Sequence, residues 1–193
     1  AGGTPINVNN TPMTTFLRMD LDRENGELIL IAHTELPFAT PGQMPFYVVS
    51  GRSGWVYGAN NFWPLENVLP EPYHPIYEEP VIVPRRDVLR FMGQELPMLS
   101  KCARVESDLT PDLFTTEPAT PKFRLLVCGS PASLSAVLYA RYDGIELVAC
   151  KLQADGQFAI PDPDDLLRYT ARNTEAEKRA IRMLDAAGLH GEC

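Results

Sequence analysis

The stretch Phe16-Leu17-Arg18-Met19-Asp20-Leu21-Asp22-Arg23-Glu24-Asn25-Gly26-Glu27-Leu28-Ile29-Leu30-Ile31-Ala32 decides the fold class. Leu17, Met19 and Leu21 alternate with charged residues, the period of a strand with one buried face. Asn25-Gly26 follows, and this dipeptide accepts the positive φ that a tight hairpin turn demands. The apolar run from Leu28 to Ala32 supplies a returning strand, so the domain is predicted to open with an antiparallel hairpin.

The pattern continues on both sides. Residues 1–14 are rich in Gly, Asn, Pro and Thr and read as a flexible arm without its own core. Downstream, Phe46 to Val49 and Trp55 to Tyr57 flank the turn Ser50-Gly51-Arg52-Ser53-Gly54 and predict a second hairpin. Residues 59–80 hold prolines among Phe62, Trp63, Tyr73 and Tyr77 and read as an irregular segment wrapped on a core. Val81-Ile82-Val83 is a short strand, and Pro84 suits a first helical turn. From Arg85 to about Lys101, Val88, Phe91, Met92, Leu96 and Leu99 recur at helical spacing, with Pro97 expected to kink or shorten the helix.

Prolines and threonines from Thr110 to Thr120 mark a linker, which divides the chain into an N-terminal lobe, 15–118, and a C-terminal lobe, 119–193. In the second lobe, Phe123 to Val127, Leu134 to Tyr142, Ile145 to Leu152 and Gln157 to Ile160 read as strands of an antiparallel meander. Asp143-Gly144 and Asp155-Gly156 supply two of its turns. Thr174-Glu175-Ala176-Glu177 has the spacing of a capping box and leads through Ala180, Ile181 and Leu184 to Gly188, a helix with a C-terminal glycine. The fold class is therefore α+β, mostly antiparallel sheet in two lobes, each with one principal helix.

Composition narrows the function. A formal net charge of −8 repels phosphate backbones at long range and argues against strong autonomous nucleic-acid binding. Cys102, Cys128, Cys150 and Cys193 form no C-x-x-C pair and lie at no finger spacing with a histidine, so free thiols in a reducing cytoplasm are expected. No apolar run approaches the length that spans a bilayer, and no signal segment opens the chain. The alanine at position 1 and the ending directly after a helix lead us to expect a piece of a longer polypeptide.

Chemistry-bearing patterns are sparse. None of Lys101, Lys122, Lys151 or Lys178 follows a glycine, as a phosphate-cradling loop requires, and no adjacent Asp-Glu pair of the kind that holds magnesium in helicase motors occurs. Gly51-Arg52-Ser53-Gly54 is one residue short of a nucleophile elbow and reads as a hairpin turn. His33, His74 and His190 stand alone in sequence, and Asp162-Pro163-Asp164-Asp165 lacks the glycine and distal glutamate of a calcium loop. Glu78-Glu79 reads as surface, and the sequon Asn9-Asn10-Thr11 has no secretory context. Arg85, Arg86 and Arg90 cluster at one helix end and are the candidate contacts for nucleic acid or a partner, although basic charge there opposes the helix dipole and Asp87 neutralises part of it. No catalytic, cofactor or metal residue is assigned.

Asn61-Phe62-Trp63-Pro64-Leu65-Glu66-Asn67-Val68-Leu69-Pro70 is followed by Glu79-Pro80-Val81-Ile82-Val83-Pro84-Arg85, which leads into Phe91 and Glu95-Leu96-Pro97. Beyond the linker come Pro121-Lys122-Phe123-Arg124-Leu125, Tyr139-Ala140-Arg141-Tyr142-Asp143-Gly144 and Arg172-Asn173-Thr174-Glu175-Ala176-Glu177 through Gly188. In this order, over roughly residues 60–188, the phrases resemble the helicase-associated region that precedes the motor in bacterial Swi/Snf-type helicases. The resemblance implies a non-catalytic accessory region of a DNA-dependent ATPase. Such a region would dock on or regulate the motor domains of the same polypeptide, or contact DNA or another protein weakly. The zinc module with which some members begin has no counterpart here, and no catalytic residue carries over. Two other readings compete: a small β-rich hydrolase using Ser53, His33 or the Asp162 cluster, and an unrelated protein-binding module, which the aromatic segment from Trp55 to Tyr77 would suit.

Overall fold

A computed structural model describes residues 5–37, 45–130, 133–149 and 159–188. The turn expected at Asp155-Gly156, the strand residues Leu152 and Gln157, and His190 lie outside them. The chain is α+β and divides into two compact units, Ala1–Leu113 and Phe114–Cys193. No helix among the described residues is long and apolar enough to cross a membrane.

The first unit contains β1 (Asn7–Val8), β2 (Phe16–Leu21), β3 (Leu28–His33), β4 (Phe46–Ser50), β5 (Ser53–Gly58), β6 (Asn61–Pro64), β7 (Val81–Val83) and β8 (Arg104–Glu106). They form two four-stranded sheets, ordered β1-β6-β5-β4 and β7-β3-β2-β8. The opening hairpin pairs Phe16 with His33 through Leu21 with Leu28, and Gly26 takes the positive φ, 71°. The alternation read in the sequence is the alternation observed, for Leu17, Met19, Leu28 and Leu30 are all fully buried. The segment expected to be an arm is paired from Asn7 onward: β1 runs parallel to β6, and Met13 bridges Leu65.

The irregular segment is more ordered than its prolines imply. β6 pairs with β5 across a turn in which Ala59 and Asn60 have φ of 47° and 62°, and residues Glu71–Tyr77 form a 3₁₀ helix. Tyr77 is buried, and its hydroxyl accepts a hydrogen bond from the Leu69 backbone N–H at 3.1 Å. Burial holds the phenols of Tyr77 and Tyr47 above their ordinary range.

From Arg85 to Leu99 the chain is helical but not uniform. A 3₁₀ turn, Arg85–Asp87, leads into α1 (Val88–Arg90), a π turn, Phe91–Glu95, and α2 (Leu96–Leu99). Pro97 has no N–H for an i−4 bond and its ring crowds the carbonyl at that distance, so the helix widens just before it. Val88, Phe91, Met92 and Leu99 face the core as their spacing predicts.

The second unit contains β9 (Thr115–Pro118), β10 (Lys122–Ser130), β11 (Ser133–Tyr142), β12 (Ile145–Val148), β13 (Ala159–Pro161), β14 (Arg168–Ala171) and α3 (Thr174–Ala186). β10-β11-β12 is the antiparallel meander, turned at Asp143 (φ 41°) and Gly144 (φ 98°). The strand ending at Ile160 is not a fourth member of this meander, because β13 belongs to a second sheet, ordered β13-β14-β9. Its parallel β9–β14 pair lies within the stretch read as linker at one end and is joined through the whole meander at the other. No local signal announces a pairing over that separation.

The start of α3 also differs from its expected form. Asn173 is the N-cap, its Oδ1 accepting from the Ala176 N–H at 3.0 Å. Glu177 then falls one position beyond the place from which a capping-box glutamate reaches back, and its side chain turns into the protein.

Candidate protein-docking surface

The β1-β6-β5-β4 sheet has one face pinned inward. Val56 and Trp63, cross-strand partners, are buried, and Gly54 and Gly58 share their face. A Cβ on Gly54 would lie 2.8 Å from Leu65 Cδ1 and 2.9 Å from Val68 Cγ2, and one on Gly58 would lie 2.6 Å from Leu36 Cδ1. Those glycines therefore let Leu65, Val68 and Leu36 close directly on the sheet. A one-residue slip would bring every outward side chain onto this face, so the register is fixed.

The consequence appears on the opposite face. Cross-strand partners share a face, so Phe46, Tyr57, Phe62 and Val8 form one row across all four strands. Val48, Trp55 and Pro64 form a second row beside it. Phe46 and Val8 are 64% and 65% exposed and Trp55 38%. The Tyr57 and Phe62 rings pack at 4.8 Å between centroids. Single exposed apolar residues are ordinary, but two adjoining rows with aromatic members form the kind of patch that proteins reserve for contact. At its Phe46 edge the patch meets a mainly apolar groove of about 600 Å³, lined in part by His33, Tyr47, Ile76 and Tyr77 and edged by Glu78 and Glu79.

The most concentrated ionisable chemistry lies in the second unit. Glu177 is completely buried and Arg172 nearly so. Arg172 donates from Nε to Glu177 Oε1 at 2.8 Å and from Nη2 to Oε2 at 2.7 Å, and Nη2 also reaches the Val148 carbonyl at 3.1 Å. Tyr142 donates to Glu177 Oε1 at 2.5 Å, while its own oxygen accepts from the Asn173 N–H at 2.9 Å. Desolvation, then the bond to Glu177, pushes the Tyr142 phenol far above its ordinary range. Both carboxylate oxygens are engaged by neighbours within the unit. The cluster acts as a clasp that joins α3 to β11 and β12.

The residues singled out from sequence are dispersed. Arg86 is open to solvent and lies 3.5 Å from Asp87, whereas Arg90 is ion-paired with Asp87 at 3.6 Å and Glu95 at 3.5 Å. Tyr73 also hydrogen-bonds Glu95, whose carboxyl is raised by burial. Arg85 is half-buried, so the three arginines share a helical segment but not an open surface. His33 stacks on Phe16 and sits 3.5 Å from Glu106. His74 contacts the Leu69 carbonyl, and Ser53 begins β5 beside the turn glycine Gly51. Asp162 accepts from the backbone N–H groups of Asp164 and Asp165, which makes the acidic run a self-bonded turn. Among the described residues, no group of three His, Cys, Asp or Glu side chains converges as a metal site would. Ser53 begins β5 and His33 ends β3, on different sheets of the first unit, while Asp162 follows β13 in the second.

Sequence reasoning placed Phe46, Val48, Trp55 and Tyr57 in strands but did not identify their common exposed face. The available signal was the pair Gly54 and Gly58 at alternate positions, which marks the close-packed side. Comparison with protein-family models, with curated proteins and with solved structures gives no match to this chain.

Proposed function

We propose that the chain is a non-catalytic docking region whose partner is the motor of a Swi/Snf-type DNA-dependent ATPase, working in the cytoplasm. The observation that carries the docking role is the double apolar row on the outer face of β4, β5, β6 and β1. The motor as partner rests on the ordered resemblance over residues 60–188. The free thiols of Cys102 and Cys128 suit a reducing compartment. The net charge of −8 favours a protein surface over a phosphate backbone, which leaves DNA as a weak secondary contact.

Aromatic anchors dominate interface energetics, so the central test targets two of them. In calorimetric titration with a purified Swi/Snf-type motor core, the double variant Phe46→Ser, Trp55→Ser should weaken binding at least about a hundredfold, the loss expected when each of two anchors contributes tenfold or more. Both residues are exposed, so the fold should survive, as circular dichroism would verify. Undiminished binding by the variant would refute the surface, and ATP turnover by the chain alone would refute the non-catalytic role.

A further inference from the structure

Among the described residues, the second unit carries a long strand edge with no partner. β10 is the outermost strand of β10-β11-β12, and all nine of its residues, Lys122–Ser130, are exposed. Phe123, Leu125, Leu126 and Val127 give it a continuous apolar character. β12 covers β11 only from Tyr139 to Tyr142. Beyond that, Leu126 to Ser130 pair with Ser133 to Val137 as a two-stranded ribbon among the described residues. Such ribbons are marginal alone in water, and a long apolar edge is a ready template for another strand.

We propose that two copies of this chain pair antiparallel through β10, with the two-fold axis at Leu126. Of the residue-centred registers, that one pairs the strand with itself along its whole length. Leu126 meets Leu126, Leu125 meets Val127, Arg124 meets Cys128, Phe123 meets Gly129 and Lys122 meets Ser130. All nine residues are used, and no like charges stand opposite each other. The two Arg124 side chains are four residues apart along the shared edge, about 14 Å at strand rise, which is beyond the screening length in physiological salt. Each is also neutralised by Glu146, which accepts from Arg124 Nε at 2.9 Å and from Nη2 at 2.5 Å. A shift that centred the axis on Arg124 would set arginine against arginine.

The geometry also continues the core. Phe123 and Leu125 lie on the same face as their partners Ala140 and Leu138, which belong to the buried cluster with Tyr142, Ala149 and Ile160. Centring the axis on a residue, rather than between two, keeps that face on one side of the joined sheet. Phe123, Leu125 and Val127 of both copies then form one apolar stripe between two existing cores, across a continuous six-stranded sheet.

Sedimentation equilibrium of the full chain should give the mass of two chains at micromolar concentrations. Leu126→Lys and Leu126→Glu should each raise the dimer dissociation constant at least tenfold by setting like charges opposite at the axis, and an equimolar mixture of the two should dimerise again. Phe46→Ser with Trp55→Ser should leave the dimer unchanged, which separates this interface from the docking face. Should a Leu126 variant fail to fold, Leu126→Cys in a Cys128→Ser background gives an independent reading, because the introduced thiols would lie within disulfide reach and cross-link on mild oxidation. A monomer at about 100 µM, well above the micromolar concentrations at which the dimer is expected, a dimer indifferent to both charged variants, or a mixture that stays monomeric would each overturn the proposal.

Discussion

The two units bury different things. In the first, Leu17, Met19, Leu28 and Leu30 on a sheet and Val88, Phe91 and Leu99 on a helical segment are all buried, aliphatic and aromatic surface alike. In the second, one cluster is built from Ala140, Ala149, Ile160 and Tyr142 with Arg172 and Glu177 sealed beside it, and Phe114 and Tyr169 are buried as an aromatic pair with ring centroids 6.2 Å apart. Where α3 joins β11 and β12, a buried charged network fixes the helix. A buried ion pair contributes little net stability over apolar replacements, yet breaking one partner is severe. The first unit should therefore yield gradually to truncation, while the second should fail at one point.

The sharpest way to break the contrast is Glu177→Ala. It strands the Arg172 guanidinium and the Tyr142 hydroxyl away from water, and a loss of about 3–5 kcal/mol in denaturant-unfolding stability is expected. Leu17→Ala in the first unit removes packing without stranding charge and should cost about 2–5 kcal/mol. Tyr142→Phe keeps the ring but deprives the Asn173 N–H of its acceptor and Glu177 of one donor, for about 1–3 kcal/mol. The same residue sets a pH signature. Because the folded phenol titrates above its unfolded counterpart, its contribution is complete below about pH 10 and is lost as pH rises beyond that. Tyr142→Phe should flatten the alkaline decline in stability, with a remaining slope from Tyr47 and Tyr77 in the first unit. Asn173→Ala, which removes only the cap of α3, should cost about 1 kcal/mol by thermal melts followed in the helix signal.

What the sequence made legible was whatever depends on short range. Asn25-Gly26 and Asp143-Gly144 declared their turns because those residues accept positive φ. Ala59 takes φ of 47° with no propensity for it, so the β5–β6 turn was hidden inside a segment dominated by proline. The parallel pairs β1–β6, β2–β8 and β9–β14 join residues far apart in sequence and leave no local mark. At the sites, Thr174 to Glu177 matched a capping box, but moving the cap to Asn173 turned Glu177 into the core, where it meets Tyr142 and Arg172 from other elements. The docking face was half visible. Its strands could be read from alternation, whereas which side faces water depended on Leu36, Leu65 and Val68 closing over Gly54 and Gly58.

Hydrogen–deuterium exchange on the chain, alone and with a Swi/Snf-type motor core, tests the central claim most directly. Protection newly acquired by residues 46–64 upon addition of the motor is the expected result. Unchanged exchange across that sheet, or protection confined to the helical segment bearing Arg85, Arg86 and Arg90, would contradict it.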